Sequence, residues 1–509
     1  MVKVIKSIIK SIGHGIKHDP EVTRIKNKYP KAVSFLKNRF TRKHKYGLYL
    51  TLGTIITLIF IYLFFGIVQD YIGHERLVQF DLRVLNLFKE LRTNKLNNQA
   101  LFITYLAKGE IITVGVITFC LILLLLRNWR FLNTLLISVL GGELFVWIIK
   151  NIIDRPRPPL NEALVTETSY SFPSGHTFVA IAFYGLLVYF IIQSEKNKFL
   201  KIISFIVGLF LIFLVGLSRI YLGAHWPSDV LASFAAGFAW LSVIITSLKI
   251  KKKFIPPKSL NIHFKKTTIL ISSILLIGIW ITFIVSFYLT HPIVKKESTI
   301  IPKTIISNKE VPNKLFEQLP KISETMTALP AEPINMIFIG HRQDLDNAFI
   351  KSNWYLLDNP SIKSYSRIIT SILTNQPYPQ TPGLPVFWDT QPSRFAYGKP
   401  SSPNSISARE HIHFWETNFI TEDGQNIWVG TAHFDEEIQK RFGIIMPFHT
   451  TELRVDNERE KIKSELETNG FIKLAEKIDL TGLLYGTKKS SGNSFLTDGQ
   501  AYILYLKNK

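Results

Sequence analysis

Three short clusters carry side chains whose types and spacing suit one reaction. Lys150, Arg157 and Pro158 stand in Lys150-Asn-Ile-Ile-Asp-Arg-Pro-Arg157-Pro158, Pro173-Ser174-Gly175-His176 follows, and Ser218-Arg219 precedes His225 and Asp229. Lys150, Arg157 and Arg219 are three cations, and the planar guanidinium fork matches phosphate oxygens. Ser174, Gly175 and His176 fall where a helix begins, so free N–H groups and the helix dipole favour an anion there. Gly175 lets the backbone approach closely. His225 lies four residues before Asp229, one helical turn. The carboxylate can then hold one imidazole nitrogen and leave the other nucleophilic. His176 is a second imidazole, placed to give a proton to a departing oxygen. A phosphate site with a nucleophile, an orienting acid and a separate general acid is a phosphoryl-transfer site.

The elements that must position these residues are apolar. The chain has 509 residues, 47 % of them hydrophobic, so it exceeds a single domain of roughly 250 residues and is not mainly disordered. Its apolar residues gather into seven stretches, Tyr46–Val68, Ile111–Leu126, Phe131–Ile149, Thr177–Gln193, Leu200–Leu217, Val230–Leu248 and Thr268–Leu289. Each approaches the ~20 residues that cross a hydrocarbon core of about 30 Å, and each is expected to be a helix. All three clusters fall at span ends on one side of the membrane. The single cysteine, Cys120, excludes a disulfide framework and a Cys-based zinc site and reads as a small packing residue.

Charge sets the topology. Met1–Lys45, the pair Arg127 and Arg130, the loop Glu195–Lys201 and Lys249–Lys266 together hold the whole formal net charge of +22. These are alternate loops. Excess Lys and Arg stay in the cytoplasm, which argues against a nucleic-acid partner for the basic charge. The N-terminus is then inside, and after seven crossings His291–Lys509 is outside. No cleavable signal is visible, so the first span reads as a retained anchor. Within Val2–Lys17, Ile5, Ile8, Ile9, Ile12 and Ile16 have helical spacing with lysines interleaved; an interfacial helix and a disordered basic tail are both open.

The pattern K-x6-R-P, P-S-G-H and S-R-x5-H-x3-D resembles that of the type-2 phosphatidic acid phosphatase superfamily, which shares its site with vanadium haloperoxidases. Every motif position is matched, and the resemblance covers about Tyr46–Leu248. It implies an all-α polytopic membrane domain, a haloperoxidase-like phosphatase helical bundle, working through a phosphohistidine intermediate with no metal and no cofactor. His225 would be the nucleophile, Asp229 its partner, and His176 the acid and later the base that activates water. Lys150, Arg157, Arg219, Ser174 and Gly175 would hold the phosphate. Glu143, two turns before Lys150, is either functional or a buried partner of a polar neighbour. Trp226 and Tyr221 read as interfacial residues.

His291–Lys509 has ordinary soluble composition. Prolines 292, 302, 312, 320, 330 and 333 punctuate a linker with room for one short helix. Ile334–Gly340 reads as a strand, Asp344–Ser352 as a helix, and Val455–Asn469 as a helix closed by Gly470. His411–Phe419 and Asn426–Phe434 flank Asp423-Gly424, a hairpin signal. The expectation is a soluble α+β domain that folds independently. Segments Pro333–Gly340, Glu410–Trp415, Ile427–Gly430 and Asp456–Arg459 resemble an LssY-type C-terminal domain. His411, His413, His433 and Asp435 gather into a metal site only if the register allows it; polar residues on a solvated strand face are the expectation, and no metal is assigned.

The expected organisation is a basic cytoplasmic segment 1–45, a six-helix membrane phosphatase core 46–248, a basic cytoplasmic loop 249–267, a seventh transmembrane helix 268–289, a linker 290–332 and a periplasmic LssY-like domain 333–509. The leading functional reading is a membrane lipid phosphatase in the bacterial cytoplasmic membrane. It would act on a lipid phosphate at the outer face, such as undecaprenyl pyrophosphate, phosphatidylglycerol phosphate or phosphatidic acid, with the bilayer as its environment. A lipid phosphotransferase using the same site is the alternative. A further one is an envelope or secretion accessory protein acting through the C-terminal domain, with an envelope protein partner. Haloperoxidase chemistry is least favoured. For the topology, a reporter fused after Lys509 should be active only if exported, and one fused after Lys253 should behave as cytoplasmic. The reverse pattern would overturn the orientation.

Overall fold

The computed structural model describes residues 19–41, 47–73, 75–159, 163–254, 266–293, 303–374, 376–383, 385–402, 408–441, 444–451, 455–487 and 494–507. Val2–Lys17, with its two readings, lies outside the described residues. Two compact units are present, Met1–Ile72 with Arg92–Lys295, and Gly73–Leu91 with Lys296–Lys509.

The first unit is all-α. Among the described residues, six helices are long and apolar enough to cross a membrane, namely Leu48–Gly73, Trp129–Ile153, Gly175–Ser194, Lys198–Tyr221, Pro227–Ile250 and Thr267–Thr290. The second expected span is a bent pair, Asn94–Tyr105 and Gly109–Leu125, meeting at 45°. Its first half is polar at the start, which hid it from the hydropathy pattern. At the break, the backbone N–H groups of Leu106, Ala107 and Lys108 bond back to Ile103, Thr104 and Tyr105, a tight three-residue turn that closes one helix before the next begins. Tyr184 donates its hydroxyl to the Leu106 carbonyl at 2.6 Å.

Asparagines cap two spans. The Asn128 side chain accepts from Phe131 N at 3.3 Å, and that of Asn197 from Phe199 N at 2.9 Å, each satisfying an otherwise orphaned donor. The fourth span carries a π-helical turn at Ile181–Gly185, where Ser138 donates to the Ala182 carbonyl at 2.9 Å. Around that turn, Ile111, Leu135, Ile181, Phe183, Leu186 and Val215 are fully buried. A second apolar cluster includes Phe172, Phe178, Ala182 and Ala232, beside the ends that carry the motifs.

The second unit is α+β. Among the described residues its main sheet has nine strands, in the order Ile472–Asp479, Gln500–Leu506, Met336–Ile339, Asn426–Arg441, Arg409–Thr421, Phe395–Pro400 and Tyr355–Leu356, with Thr304–Ile306 beside Arg409–Thr421 and Ile444–Thr451 beside Asn426–Arg441. The hairpin at Asp423-Gly424 is present, and Gly424 takes φ +75°, a conformation that favours glycine. The expected strand is Met336–Ile339, and the two expected helices are Arg342–Lys351 and Asp456–Thr468. Helical residues Leu345, Phe349, Ile462 and Leu466 pack with Phe338, Ile412 and Phe414; Ile337, Val429 and Ile503 join Trp388 and Trp415 in another cluster.

Two expectations are corrected here. The segment 290–332 is not simply a linker, because Thr304–Ile306, Val311–Gln318, Ile322–Glu324 and Pro330–Pro333 are elements of this unit. The prolines misled because proline is also at home in a first helical turn, where Pro312 sits, and on an edge strand, where Pro330 and Pro333 sit. Nor is the unit built from one stretch of chain. The helix Glu75–Glu90, from between the first two spans, belongs to it. Arg83 is 1 % exposed and pairs with Glu324, and Asn86 donates to the Thr390 carbonyl at 3.0 Å. Such packing over 241 positions of sequence leaves no local signal.

Glu324→Ala would strand the Arg83 guanidinium. Glu324 is 30 % exposed, so the expected loss is about 1–3 kcal/mol, below the ~3–5 of a fully buried pair. Adding Arg83→Met should recover part of it. Thermal denaturation of the detergent-solubilised protein checks both.

Candidate active site

Lys150 lies in the last turn of the third span, and the chain then runs through Arg155 and Arg157 toward the Ser171–Ser174 approach to the fourth span. Leu222–Trp226 joins the fifth span to the sixth. These segments bring the three motifs together. Lys150, Arg157, Gly175, His176 and His225 line one cavity of about 290 Å³, together with Glu143, Glu167 and Ser169. A neighbouring cavity of about 690 Å³ shares Lys150, Arg157 and Glu167 and extends along Trp147, Pro158 and Tyr170.

His225 precedes the sixth helix, which begins at Pro227, so the four-residue spacing is realised across a helix start rather than along a helix. Its Nδ1 lies 3.4 Å from Asp229 Oδ2, and its Nε2 lies 3.3 Å from Arg157 Nη1. Asp229 is fully buried and accepts from Arg155 Nη1 at 2.8 Å, from Trp226 N at 3.0 Å and from the Ser171 hydroxyl. Arg155 also donates to Ser228 Oγ at 2.7 Å and lies over the rings of Tyr71 and Trp226. Burial first, and then Arg157, Arg219 and Lys150, hold the His225 imidazole well below its ordinary value. The ring is therefore neutral near pH 7 and keeps a lone pair.

The cations are held by backbone and by one acid. Arg157 donates to the carbonyls of Ala224 and Ser169 at 2.6 Å each, and Lys150 to that of Tyr170. Arg219, 1 % exposed, reaches Glu167 Oε1 at 2.5 Å and Thr104 Oγ1 at 2.8 Å. Burial draws the Arg157 guanidinium down to about 10, still charged at neutral pH. Burial would raise the Glu167 carboxyl, but Arg219, His176 and Arg157 outweigh it and hold it at about 2. Ser174 stands at the N-cap of the fourth span, and its backbone N–H donates to the Asp229 carbonyl at 3.3 Å. Its hydroxyl accepts from Thr177 at 3.0 Å and does not line the cavity, unlike Gly175 and His176. Glu143 lines the same cavity as Lys150.

Three participants went unnoticed in the sequence. Arg155 was legible in principle, since Arg-Pro occurs twice in succession at Arg155-Pro156-Arg157-Pro158. Glu167 and Ser171 lie in the same loop without a motif of their own.

Residues 129–253 match the PAP2 superfamily, and residues 316–501 match the family described as LssY C-terminus. The chain thus carries a PAP2 superfamily domain followed by an LssY C-terminal domain, the combination its motifs and segments suggested. It is 37 % identical over 114 residues to phosphatidylglycerophosphatase B of Bacillus subtilis, covering 22 % of this chain and 54 % of that relative, about half its length. It is 27 % identical over 199 residues to an undecaprenyl-diphosphatase of Sulfolobus acidocaldarius, covering 38 % of this chain and 89 % of that one. A crystal structure of a transmembrane PAP2-type phosphatidylglycerolphosphate phosphatase from Bacillus subtilis aligns with 40 % of this chain and 98 % of its own, at 25 % identity and a TM-score of 0.35.

The His411, His413, His433 and Asp435 group calls for a correction. These residues are not on a solvated face; all are 4 % exposed or less, because the sheet is covered on both sides.

Removing Arg155 would take a charged partner from a fully buried carboxylate. Arg155→Ala is expected to cost about 3–5 kcal/mol of stability, and Arg155→Lys less. Chemical denaturation in detergent micelles measures both.

Proposed function

We propose that the protein is a membrane lipid phosphatase that hydrolyses a phosphate monoester or pyrophosphate of a lipid at the outer face of a bacterial cytoplasmic membrane. The observation that carries this reading is the setting of His225. One ring nitrogen is turned to a buried carboxylate, and the ring lines a cavity with two cations and a second imidazole. That is the arrangement a covalent phosphoryl transfer needs.

In the proposed reaction the lipid phosphate lies against Lys150, Arg157, Arg219 and the backbone N–H of Gly175, while Ser174, whose own N–H is held by the Asp229 carbonyl, caps that helix. His225 Nε2 attacks phosphorus, and Asp229 steadies the positive charge that grows on the ring. The bond to the lipid oxygen breaks as His176 gives that oxygen a proton. In the second half, His176 takes a proton from water, the hydroxide attacks the phosphohistidine, and inorganic phosphate leaves with His225 restored. Charge on the transferring phosphoryl is met by the three cations rather than by a metal. The names of the relatives support a lipid phosphate as substrate, and the basic cytoplasmic loops support the outward orientation.

His225→Ala should abolish turnover. His176→Ala should lose about 10²–10⁴-fold, and less for a substrate with a good leaving group. Turnover should survive EDTA, and vanadate, which resembles five-coordinate phosphorus, should inhibit it. Assays against a panel of lipid phosphates, with and without acceptor lipids, separate hydrolysis from transfer. Substantial turnover by His225→Ala, or loss on chelation reversed by Mg²⁺, would overturn the phosphohistidine route.

A further inference from the structure

The hairpin of the second unit buries a polar face that phosphoryl transfer leaves unused. In its antiparallel register Thr431 stands opposite His413, His433 opposite His411, and Asp435 opposite Arg409. Strand alternation sets these six side chains on one face, while Ile412, Phe414 and Ala432 fill an apolar cluster on the other. Three imidazoles withdrawn from water need partners for both ring nitrogens, or a reason to lack them.

One nitrogen of each ring has its partner. His411 Nδ1 is 3.3 Å from Asp435 Oδ2, His433 Nε2 is 3.4 Å from Asp435 Oδ1, and His413 Nδ1 is 3.1 Å from Ser393 Oγ. The opposite nitrogens of two rings, His411 Nε2 and His433 Nδ1, have no hydrogen-bond partner among the described residues. One nitrogen from each of the three rings lies within 4.8 Å of the other two. Glu332 Oε1 is 3.9 Å from His433 Nδ1. Gly383 lies against the His411 ring. A Cβ there would stand 2.9 Å from His411 Cε1, so only a bare backbone fits against that ring.

We infer that His411, His413 and His433 bind one divalent transition-metal ion of the zinc class, with Glu332 within reach of a fourth position. A histidine ligand gives one nitrogen to the metal and donates its other N–H to a carboxylate or similar acceptor, which fixes the tautomer. Asp435 stands in that place for two rings and Ser393 for the third. An imidazole-dominated set suits zinc and its neighbours rather than Ca²⁺ or Mg²⁺, which demand oxygen ligands. On a tetrahedral zinc at 2.0–2.1 Å the ligand atoms sit about 3.3 Å apart, so binding draws the rings inward. The site makes no demand on the phosphatase residues.

The test uses the full chain without a polyhistidine tag, in detergent. The protein is stripped with dipicolinate, incubated with Zn²⁺, desalted and assayed by elemental analysis. About one Zn²⁺ per chain is expected, and Co²⁺ in its place should give the visible absorption of a tetrahedral site. His225→Ala should keep the ion. His411→Ala with His433→Ala should lose it, and Asp435→Asn should weaken affinity roughly 10–100-fold. Wild-type protein that retains less than about a tenth of an equivalent and shows no Co²⁺ absorption would overturn the assignment. So would a folded double variant that keeps its ion. If the double variant fails to fold, wild-type stoichiometry and the Co²⁺ spectrum decide.

Discussion

The Asp229 carboxylate is sealed from water and carries contacts from Arg155, Ser171, His225 and the backbone of Trp226. An isolated carboxylate could not stay charged there at tolerable cost; a fully hydrogen-bonded one can. These contacts draw together the exit of the third span, the approach to the fourth and the entry to the sixth. The backbone joins in, since the Asp229 carbonyl accepts from Ser174 N. The ring of His225 and the N-terminus of the helix bearing His176 are therefore set by one anchor. Loosening it moves that ring and the start of that helix together.

Around this anchor Lys150, Arg157 and Arg219 each have a partner, but of these only Arg219 is paired with an acid. Arg219 is buried against Glu167 and Thr104, while Lys150 and Arg157 lean on carbonyl oxygens. Carbonyls satisfy a cation's donors without cancelling its charge, so those two remain available to an arriving anion. Glu167, held ionised, spares Arg219 the cost of standing alone in a dry setting. Partners of this kind let three cations stand close together.

The motif residues were legible because each lies at a span end, where hydropathy and charge patterns locate the chain well. The spans themselves were legible for the same reason, and so were the hairpin and the two helices of the second unit. What escaped were pairings set by distance along the chain. Arg155 meets Asp229 across 74 positions and Arg219 meets Glu167 across 52, separations that no local pattern reports. The polar half of the bent second span lacks the apolar signature of its partner. His411 and His433 were visible as residues, but their shared face depends on register, which sequence alternation does not fix.

The π-helical turn at Ile181–Gly185 acts as a phase step. An α-helix turns through about 100° per residue, and a wide turn adds one residue without adding a full turn to the ladder. The stripe of side chains aligned with His176 above the step is thus out of phase with the stripe below, where Leu186 and Phe190 pack. The upper segment can face the cavity while the lower satisfies neighbouring helices on a different side, and neither dictates the other's azimuth. Shortening this segment by one residue would re-index one half of the helix against the other, so its length is under a constraint that residue identity alone does not express.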